Sequence, residues 1–180
     1  MLYGDRDAVS QIERTKGDNN MKESKLPKRF WLIIAVAMIL VSMIGSNLVQ
    51  SDGGKVKIHK VNLVVADGAE LYAQMYIPEQ ASADHKLPLV IVQHGSQHNL
   101  QMQDMNMVEL ARRGFIVISG DAFGHGSSTP RGFVAPSMNF ANMRYLLEYA
   151  CNNLDCVDMD KIGICGHSMG AAITTTTLKY

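Results

Sequence analysis

The serine at position 168 is surrounded by residues that suit a reactive role. It is the middle residue of Gly166–Gly170 (GHSMG), a G-x-S-x-G pattern that follows a short apolar run and precedes two alanines. Small residues are needed beside the serine when a strand turns sharply into a helix, and such a turn exposes the hydroxyl at the N-terminus of that helix. We therefore predict that Ser168 is a nucleophile. The residues of its predicted turn are Gly166, His167, Ser168, Met169 and Gly170.

A serine that only caps a helix after a glycine-rich turn would have the same pattern. The apolar run before the turn and a second pattern upstream favour the nucleophile. His167 is next to the serine in sequence, but a turn of this type directs its side chain away from the hydroxyl. A general base has to lie within about 3 Å of the proton that it removes. The base is therefore expected elsewhere.

The second pattern is HGSQ at residues 94–97, which directly follows the apolar run Leu87–Gln93. A loop at this place can direct a backbone amide toward the negative charge that develops on a substrate oxygen, and its glycine permits a close approach. We expect the amides of Ser96 and Met169 to form this oxyanion hole, with Gln97 as the alternative to Ser96. The histidine of the pattern is interpreted as forming local hydrogen bonds.

Strands and helices alternate in the sequence pattern after residue 55. Short apolar or alternating runs indicate strands, and apolar residues at helical spacing indicate helices. This alternation is typical of a mostly parallel sheet with crossover helices, so the predicted fold class is α/β. The predicted strands are Val56–Val65, Leu71–Ile77, Leu87–Gln93, Phe115–Ser119 and Lys161–Cys165, and the predicted helices are Met102–Arg113 and Met138–Cys151.

These elements carry expectations about burial. The last three predicted strands are nearly continuous in apolar residues, which is typical of strands buried on both faces of a sheet. Met102 and Met105 share the apolar spacing of the first predicted helix, so we expect them on its buried face. Asp67-Gly68 between the first two strands indicates a tight turn.

The N-terminal part of the chain is organised differently. Residues 1–29 are polar and mixed in charge, and we expect them to form a flexible tail. Phe30–Val49 runs for 20 residues without a charge, and a helix of that length at about 1.5 Å per residue would span a bilayer core. A transmembrane helix is therefore predicted at residues 30–49, followed by a linker at 50–55 and a folded domain at 56–180.

A cleaved signal peptide and a buried helix of a soluble protein are the alternatives to a membrane anchor. Basic residues precede the apolar run, as in signal peptides, but the run is long and no A-x-A-like cleavage site follows it, although Gly45 and Ser46 leave cleavage open. Buried helices rarely lack charge for so long. More basic residues lie before the run than after it, so we expect a cytoplasmic N-terminus and an extracytoplasmic domain.

The composition argues against several other kinds of function. Lysine plus arginine and aspartate plus glutamate each number 17, so the formal charge is zero and no basic surface for nucleic acid is predicted. Cys151, Cys156 and Cys165 lack the paired spacing of a zinc site, and neither a metal nor another cofactor is predicted. In an oxidising compartment Cys151 and Cys156 could form a disulfide, and two separate thiols are the alternative.

The motifs together resemble those of the α/β-hydrolase superfamily. GHSMG, the His-Gly pair at 94–95 and the D-x-x-G-H-G-x-S loop of Asp121–Ser128 are similar to those of monoacylglycerol lipase-like, serine aminopeptidase-like and dienelactone hydrolase-like members. The resemblance covers residues 56–180. It implies hydrolysis of an ester, thioester or amide in a small-molecule, lipid or peptide substrate through an acyl-enzyme on Ser168, without a cofactor. It also implies a structural role for the histidine of the Asp121–Ser128 loop.

The resemblance ends soon after the nucleophile. The family's triad has serine, acid and histidine in this chain order, but residues 169–180 contain no aspartate, glutamate or histidine. We therefore expect the chain to be the N-terminal portion of an α/β-hydrolase domain, truncated after the turn and inactive by itself. The alternative is a non-catalytic membrane protein that uses the scaffold as a binding or interaction module, because a fold alone does not establish function.

Overall fold

The computed structural model of the protein describes residues 26–65, 68–130, 132 and 140–179. The chain divides into two compact units, residues 1–42 and 43–180. Most of the predicted N-terminal tail lies outside the described residues, as do Asp67 of the predicted tight turn and Met138 at the start of the second predicted helix.

Helix α1 comprises Lys28–Gln50 and contains the predicted apolar segment. Its most apolar 18 residues have a mean hydropathy of 2.4, and none of its side chains is buried. The 23 residues extend for about 34 Å at about 1.5 Å per residue, compared with about 30 Å for the hydrocarbon core of a bilayer. This helix near the N-terminus is therefore long and apolar enough to cross a membrane.

The second unit contains a mixed sheet of five strands. They are β1 (Val56–Val64), β2 (Glu70–Pro78), β3 (Leu87–Gln93), β4 (Ile116–Gly120) and β5 (Val157–Gly166). Their order in the sheet is β1-β2-β4-β3-β5. β2 is antiparallel to β1 and β4, whereas β3 is parallel to β4 and β5. Four strands therefore run in one direction, and the α/β prediction is confirmed.

Three helices of the second unit, α2 (Asp104–Arg112), α3 (Asn142–Asn153) and α4 (Met169–Thr177), cover the two faces of the sheet. Successive side chains of a strand point to opposite faces. Val117 of β4 packs with the buried residues of α2 in one cluster, whereas its neighbours Ile116 and Ile118 lie in another cluster with residues of α3 and α4. A short 3₁₀ helix, Leu100–Gln103, precedes α2.

The predicted buried face of α2 is wrong in part. Met102 is 60% and Met105 is 82% exposed, whereas the buried residues of α2 are Met107, Val108 and Ala111. Met102 belongs to the 3₁₀ helix, whose tighter winding changes the phase of the pattern. Met105 precedes Met107 by two positions, so it points about 200° away from it around the helix.

β5 lies at an edge of the described sheet, and residues 161–165, whose apolar pattern predicts a buried strand, are only partly buried. Ile162 and Ile164 are half-buried, and the three residues that alternate with them are exposed. Among the described strands, only β3 pairs with β5. Its side chains therefore have neighbours on one flank only.

Helix α4 contains four successive threonines that the sequence pattern does not explain. Their hydroxyls donate hydrogen bonds to backbone carbonyls of the same helix, at 2.8 to 2.9 Å. Such bonds satisfy the hydroxyls without solvent. The donors are Thr174 (to Gly170), Thr175 and Thr176 (both to Ala172) and Thr177 (to Ile173).

Candidate active site

Ser168 lies between β5 and α4, where the backbone has an unusual conformation. Its φ is 56° and its ψ is −117°, a combination that few residues other than glycine adopt. The residue is exposed, and its side chain makes no hydrogen bond that caps α4. This geometry does not support a capping serine. It has the form of the strained strand-to-helix turn that presents a hydroxyl.

The glycines on either side of Ser168 are required by close backbone packing. A side-chain carbon added at Gly166 would lie 2.4 Å from the carbonyl carbon and oxygen of Gly170. One added at Gly170 would lie 2.4 Å from the carbonyl oxygen of Gln93. The atoms that would be met are backbone atoms, which cannot rotate away. The turn can therefore close, and pack on the end of β3, only with glycine at both positions.

The loop after β3 lies directly beside the nucleophile turn. A carbon added at Gly95 would lie 3.4 Å from Cβ of Ser168 and 2.9 Å from Nδ1 of His167. The amide of His167 also donates to the carbonyl oxygen of Gln93 at 3.1 Å. The structure thus brings together the two motifs that are far apart in sequence, at the carboxyl ends of β3 and β5.

The predicted oxyanion-hole residues lie on these two adjoining segments. Met169 is the first residue of α4. Ser96 is exposed in the loop after β3, and its amide donates to no acceptor within the described ranges. Gln97, the alternative donor, has a φ of 60° at the turn of the loop. No described side chain forms a hydrogen bond with the hydroxyl of Ser168, so neither His167 nor any other histidine in this part of the chain is placed as its base.

His94 is buried and connects two loops. Its Nδ1 lies 2.7 Å from the carbonyl oxygen of Gly95, and the amide of Ala122 donates to its Nε2 at 2.9 Å. Because Nε2 accepts a hydrogen bond, the neutral ring carries its proton on Nδ1. Burial lowers the pKa of His94, which keeps the ring in this neutral form. The sequence predicted local hydrogen bonds here but not the bond to the loop after β4.

Asp121 is a second buried side chain whose role the sequence did not reveal. Its Oδ1 accepts from the amide of Leu100 at 2.7 Å, and its Oδ2 accepts from the amide of Ser127 at 2.8 Å. A carbon added at Gly126 would lie 1.9 Å from Oδ2, so the second glycine of the D-x-x-G-H-G-x-S pattern makes room for the carboxylate. An aspartate at the end of a buried strand, five residues before a glycine, is the signal that points to this arrangement.

A buried polar pair lies beneath the nucleophile turn. Gln93 and Asn142 are both fully buried, and Nδ2 of Asn142 donates to Oε1 of Gln93. Nε2 of Gln93 lies 3.4 Å from the carbonyl oxygen of Gly120. The pair thus links the ends of β3 and β4 to the start of α3. Apolar periodicity cannot identify such a pair, because it registers only the hydrophobic residues of α3.

The three cysteines are free thiols in the structure, so the disulfide between Cys151 and Cys156 that was one alternative is not formed. Partial desolvation raises the pKa of each thiol, although Cys165 as a residue is exposed and only Cys156 is buried. Within the described ranges, no three His, Cys, Asp or Glu side chains are grouped to hold a metal ion.

Solved structures resemble the chain over about two thirds of its length. Est1E from Butyrivibrio proteoclasticus, solved with ferulic acid bound, is 26% identical with a TM-score of 0.54, and the match covers 65% of this chain and 46% of that one. The esterase Pf2001 from Pyrococcus furiosus is 17% identical with a TM-score of 0.57, covering 71% and 48%. An acetyl xylan esterase from Paenibacillus sp. R4 is 19% identical with a TM-score of 0.53, covering 68% and 45%.

The chain therefore spans less than half of the length of each of these three structures. A comparison with curated protein sequences finds no match. The family model described as the alpha/beta hydrolase fold matches residues 88–179, which include β3, the two loops that His94 joins, and the nucleophile turn. The chain belongs to the α/β-hydrolase fold family.

Proposed function

We propose that the chain is the N-terminal part of a membrane-anchored serine hydrolase that cleaves an ester bond through an acyl-enzyme on Ser168. The geometry of the nucleophile turn carries this proposal. An exposed serine sits at a φ of 56°, between two glycines that close backbone packing requires. It lies beside the loop of Ser96, whose amide is the proposed oxyanion donor. Strained backbone of this kind is concentrated at active sites and ligand clamps, which supports a functional role for the turn.

The chemistry is acyl transfer. The hydroxyl attacks the carbonyl carbon, the carbonyl oxygen becomes negatively charged, and the amides of Ser96 and Met169 stabilise that charge, each contributing about 10²- to 10³-fold in rate. The N-terminus of α4 adds a favourable partial charge at the same place. The histidine of the triad takes the hydroxyl proton and passes it to the departing alcohol as the C–O bond of the ester breaks, which leaves the acyl-enzyme. Water then hydrolyses the acyl-enzyme, releasing the carboxylic acid and restoring Ser168. The acid and the histidine of the triad lie beyond residue 180 in this proposal, in accord with the share of the relatives that the chain spans.

We propose a carboxylic ester as the substrate. The support is the likeness to Est1E, whose structure holds ferulic acid and which is the one relative of the three above 25% identity. Whether thioester or amide bonds are also cleaved depends on pocket residues that follow the nucleophile in sequence.

Helix α1 is the proposed anchor, with the tail before it in the cytoplasm and residues 50–180 on the far side. Its length and its apolar composition support a span, and the basic residues that precede it support this orientation. The catalytic domain would then act on substrates outside the cytoplasm.

The test is covalent labelling of the full-length protein in membranes with a fluorophosphonate probe, which reacts only with an activated serine. We expect labelling of the natural protein and none of Ser168→Ala. Ser82→Ala, which removes an exposed serine hydroxyl from the turn between β2 and β3, is the matched control and should be labelled normally. Labelling that is equal in all three proteins would refute Ser168, and absence of labelling from all three would support the binding-module alternative.

A further inference from the structure

The loop after β3, residues 94–100, is attached by buried side chains at both ends. At its start, His94 bonds to the carbonyl of Gly95 within the loop and to the amide of Ala122 outside it. At its end, the amide of Leu100 donates to Asp121. Both attachments lead to the same neighbouring loop, the one that follows β4.

The middle of the loop makes no comparable attachment to the residues that the structure describes. Residues 96–98 are exposed, whereas Gly95 and Leu100 are buried. The position of the Ser96 amide is therefore determined mainly by the two ends of the loop. An oxyanion-hole donor has to lie about 2.7–3.1 Å from the developing charge, and a displacement of about 1 Å can cost about 10²-fold in rate.

We infer that His94 and Asp121 are positioning residues of the oxyanion hole, which act through the backbone of residues 94–100 and do not touch the substrate. The inference rests on the proposed function, because only a serine hydrolase gives this loop a catalytic role. The attachments themselves are features of the fold and can be tested without catalysis.

The chemical form of each side chain matters. A proton on Nε2 of His94 would point at the amide of Ala122 and break that bond, so the neutral ring is needed. The groups that face the ring are the Asp121 carboxylate, which favours protonation, and His125 and His98, which oppose it. The Asp121 carboxylate accepts from two amides, whereas an asparagine would direct an N–H at one of them.

The catalytic test compares the variants His94→Phe and Asp121→Asn with the natural full-length protein. Each substitution keeps the approximate size of the side chain and removes at least one attachment. We expect kcat for p-nitrophenyl acetate to fall about 10²-fold while KM changes by less than about threefold, because the lost interaction acts in the transition state. His94→Gln keeps a donor and an acceptor and should recover part of the rate.

A second substrate separates positioning from simple loss of folded protein. The thiono analogue of the ester has sulfur in place of the carbonyl oxygen, which is a poor hydrogen-bond acceptor. A smaller folded fraction lowers both rates equally and leaves their oxygen-to-sulfur ratio unchanged. A misplaced amide lowers the oxygen ester's rate more, so the ratio should fall at least tenfold. His59→Phe, at an exposed histidine of β1, should leave the ratio unchanged.

A third measurement does not depend on activity. Hydrogen–deuterium exchange, followed by mass spectrometry of the full-length protein, should become at least tenfold faster in peptides covering residues 94–102 and 120–128 of both variants. A peptide covering β1 should exchange at the same rate as before.

The outcomes are distinguishable. If the natural protein hydrolyses no ester but exchange accelerates as expected, the proposed function fails and the attachment of the loop stands without a catalytic role, which overturns the inference as stated. Unchanged exchange in both segments, or an unchanged oxygen-to-sulfur ratio in an active protein, also overturns it. A fall in the ratio together with faster exchange supports it.

Discussion

Replacement of Gly166 by alanine is the sharpest perturbation of the nucleophile turn. The added carbon would lie 2.4 Å from the carbonyl carbon and oxygen of Gly170 and 2.9 Å from the amide nitrogen of Ala171. Carbon contacts are normally about 3.5–4.0 Å, so the start of α4 has to move by about 1 Å. Ser168 lies within the displaced turn.

The expected cost follows from that displacement. Misplacement of a nucleophile by about 1 Å lowers kcat by about 10²-fold, and overpacking of a rigid site lowers the free energy of unfolding by about 1–3 kcal/mol. We expect Gly166→Ala to show both effects in the full-length protein. Ester hydrolysis measures the first effect, and thermal unfolding followed by circular dichroism measures the second.

Gly163→Ala is the matched control in the same strand. A carbon added there would lie 3.7 Å from Cγ2 of Val90 and 3.9 Å from the carbonyl oxygen of Leu89, which are ordinary contacts. This substitution should leave kcat unchanged and change the free energy of unfolding by less than about 1 kcal/mol. Any change should be an increase, because alanine reduces the conformational entropy of the unfolded chain. If Gly166→Ala retained activity and stability to the same extent as Gly163→Ala, the turn would not have the described geometry.

Four further expectations concern other parts of the chain. Burial lowers the pKa of His94, so below about pH 6.5 the unfolded chain binds a proton that the folded protein does not. As the pH decreases below that value, the free energy of unfolding should decrease by up to about 1.4 kcal/mol per pH unit, and it should decrease less steeply in His94→Phe. Alkaline carbonate should leave the protein in the membrane pellet if Phe30–Val49 anchors it, whereas an intact soluble species of reduced mass would indicate a cleaved signal peptide. A maleimide should modify exposed Cys165 before buried Cys156, and urea should remove the difference. Residues 52–180 by themselves should hydrolyse p-nitrophenyl acetate no faster than their Ser168→Ala variant, and serine-dependent turnover by a monodisperse monomer would contradict the expected truncation.

A strand was predictable from the sequence where the apolar composition of its own residues was enough to identify it. Leu87–Gln93 and Phe115–Ser119 are apolar enough to identify buried strands without knowledge of their neighbours, and both are confirmed to within one residue. Lys161–Cys165 has a similar composition but is partly exposed, because burial also depends on which elements pack beside a strand. The position of Met105 depended on the phase of α2, which the preceding 3₁₀ helix shifts.

The candidate site was predictable to a similar extent. The G-x-S-x-G pattern identifies a turn whose glycines are local requirements, and the structure gives the steric reason for them. The contacts of His94 with Ala122, and of Asp121 with Leu100, join residues more than 20 positions apart. A polar residue at the end of a buried strand indicates that its side chain needs a hydrogen-bond partner. Which residue is the partner depends on how the two loops lie next to each other in the fold, and a single sequence does not reveal that arrangement.

The threonines of α4 change what that helix offers to its surroundings. Because all four hydroxyl protons are used inside the helix, the side chains have no donor left for water and keep only their oxygen lone pairs as acceptors. As hydrogen-bond donors, these four residues resemble a run of valines. Transfer of their outer surface from water to an apolar neighbour would leave no hydroxyl proton unpaired. Helix α4 is therefore suited to a wet surface and also to a dry interface, and isosteric Thr→Val changes along it would test that equivalence.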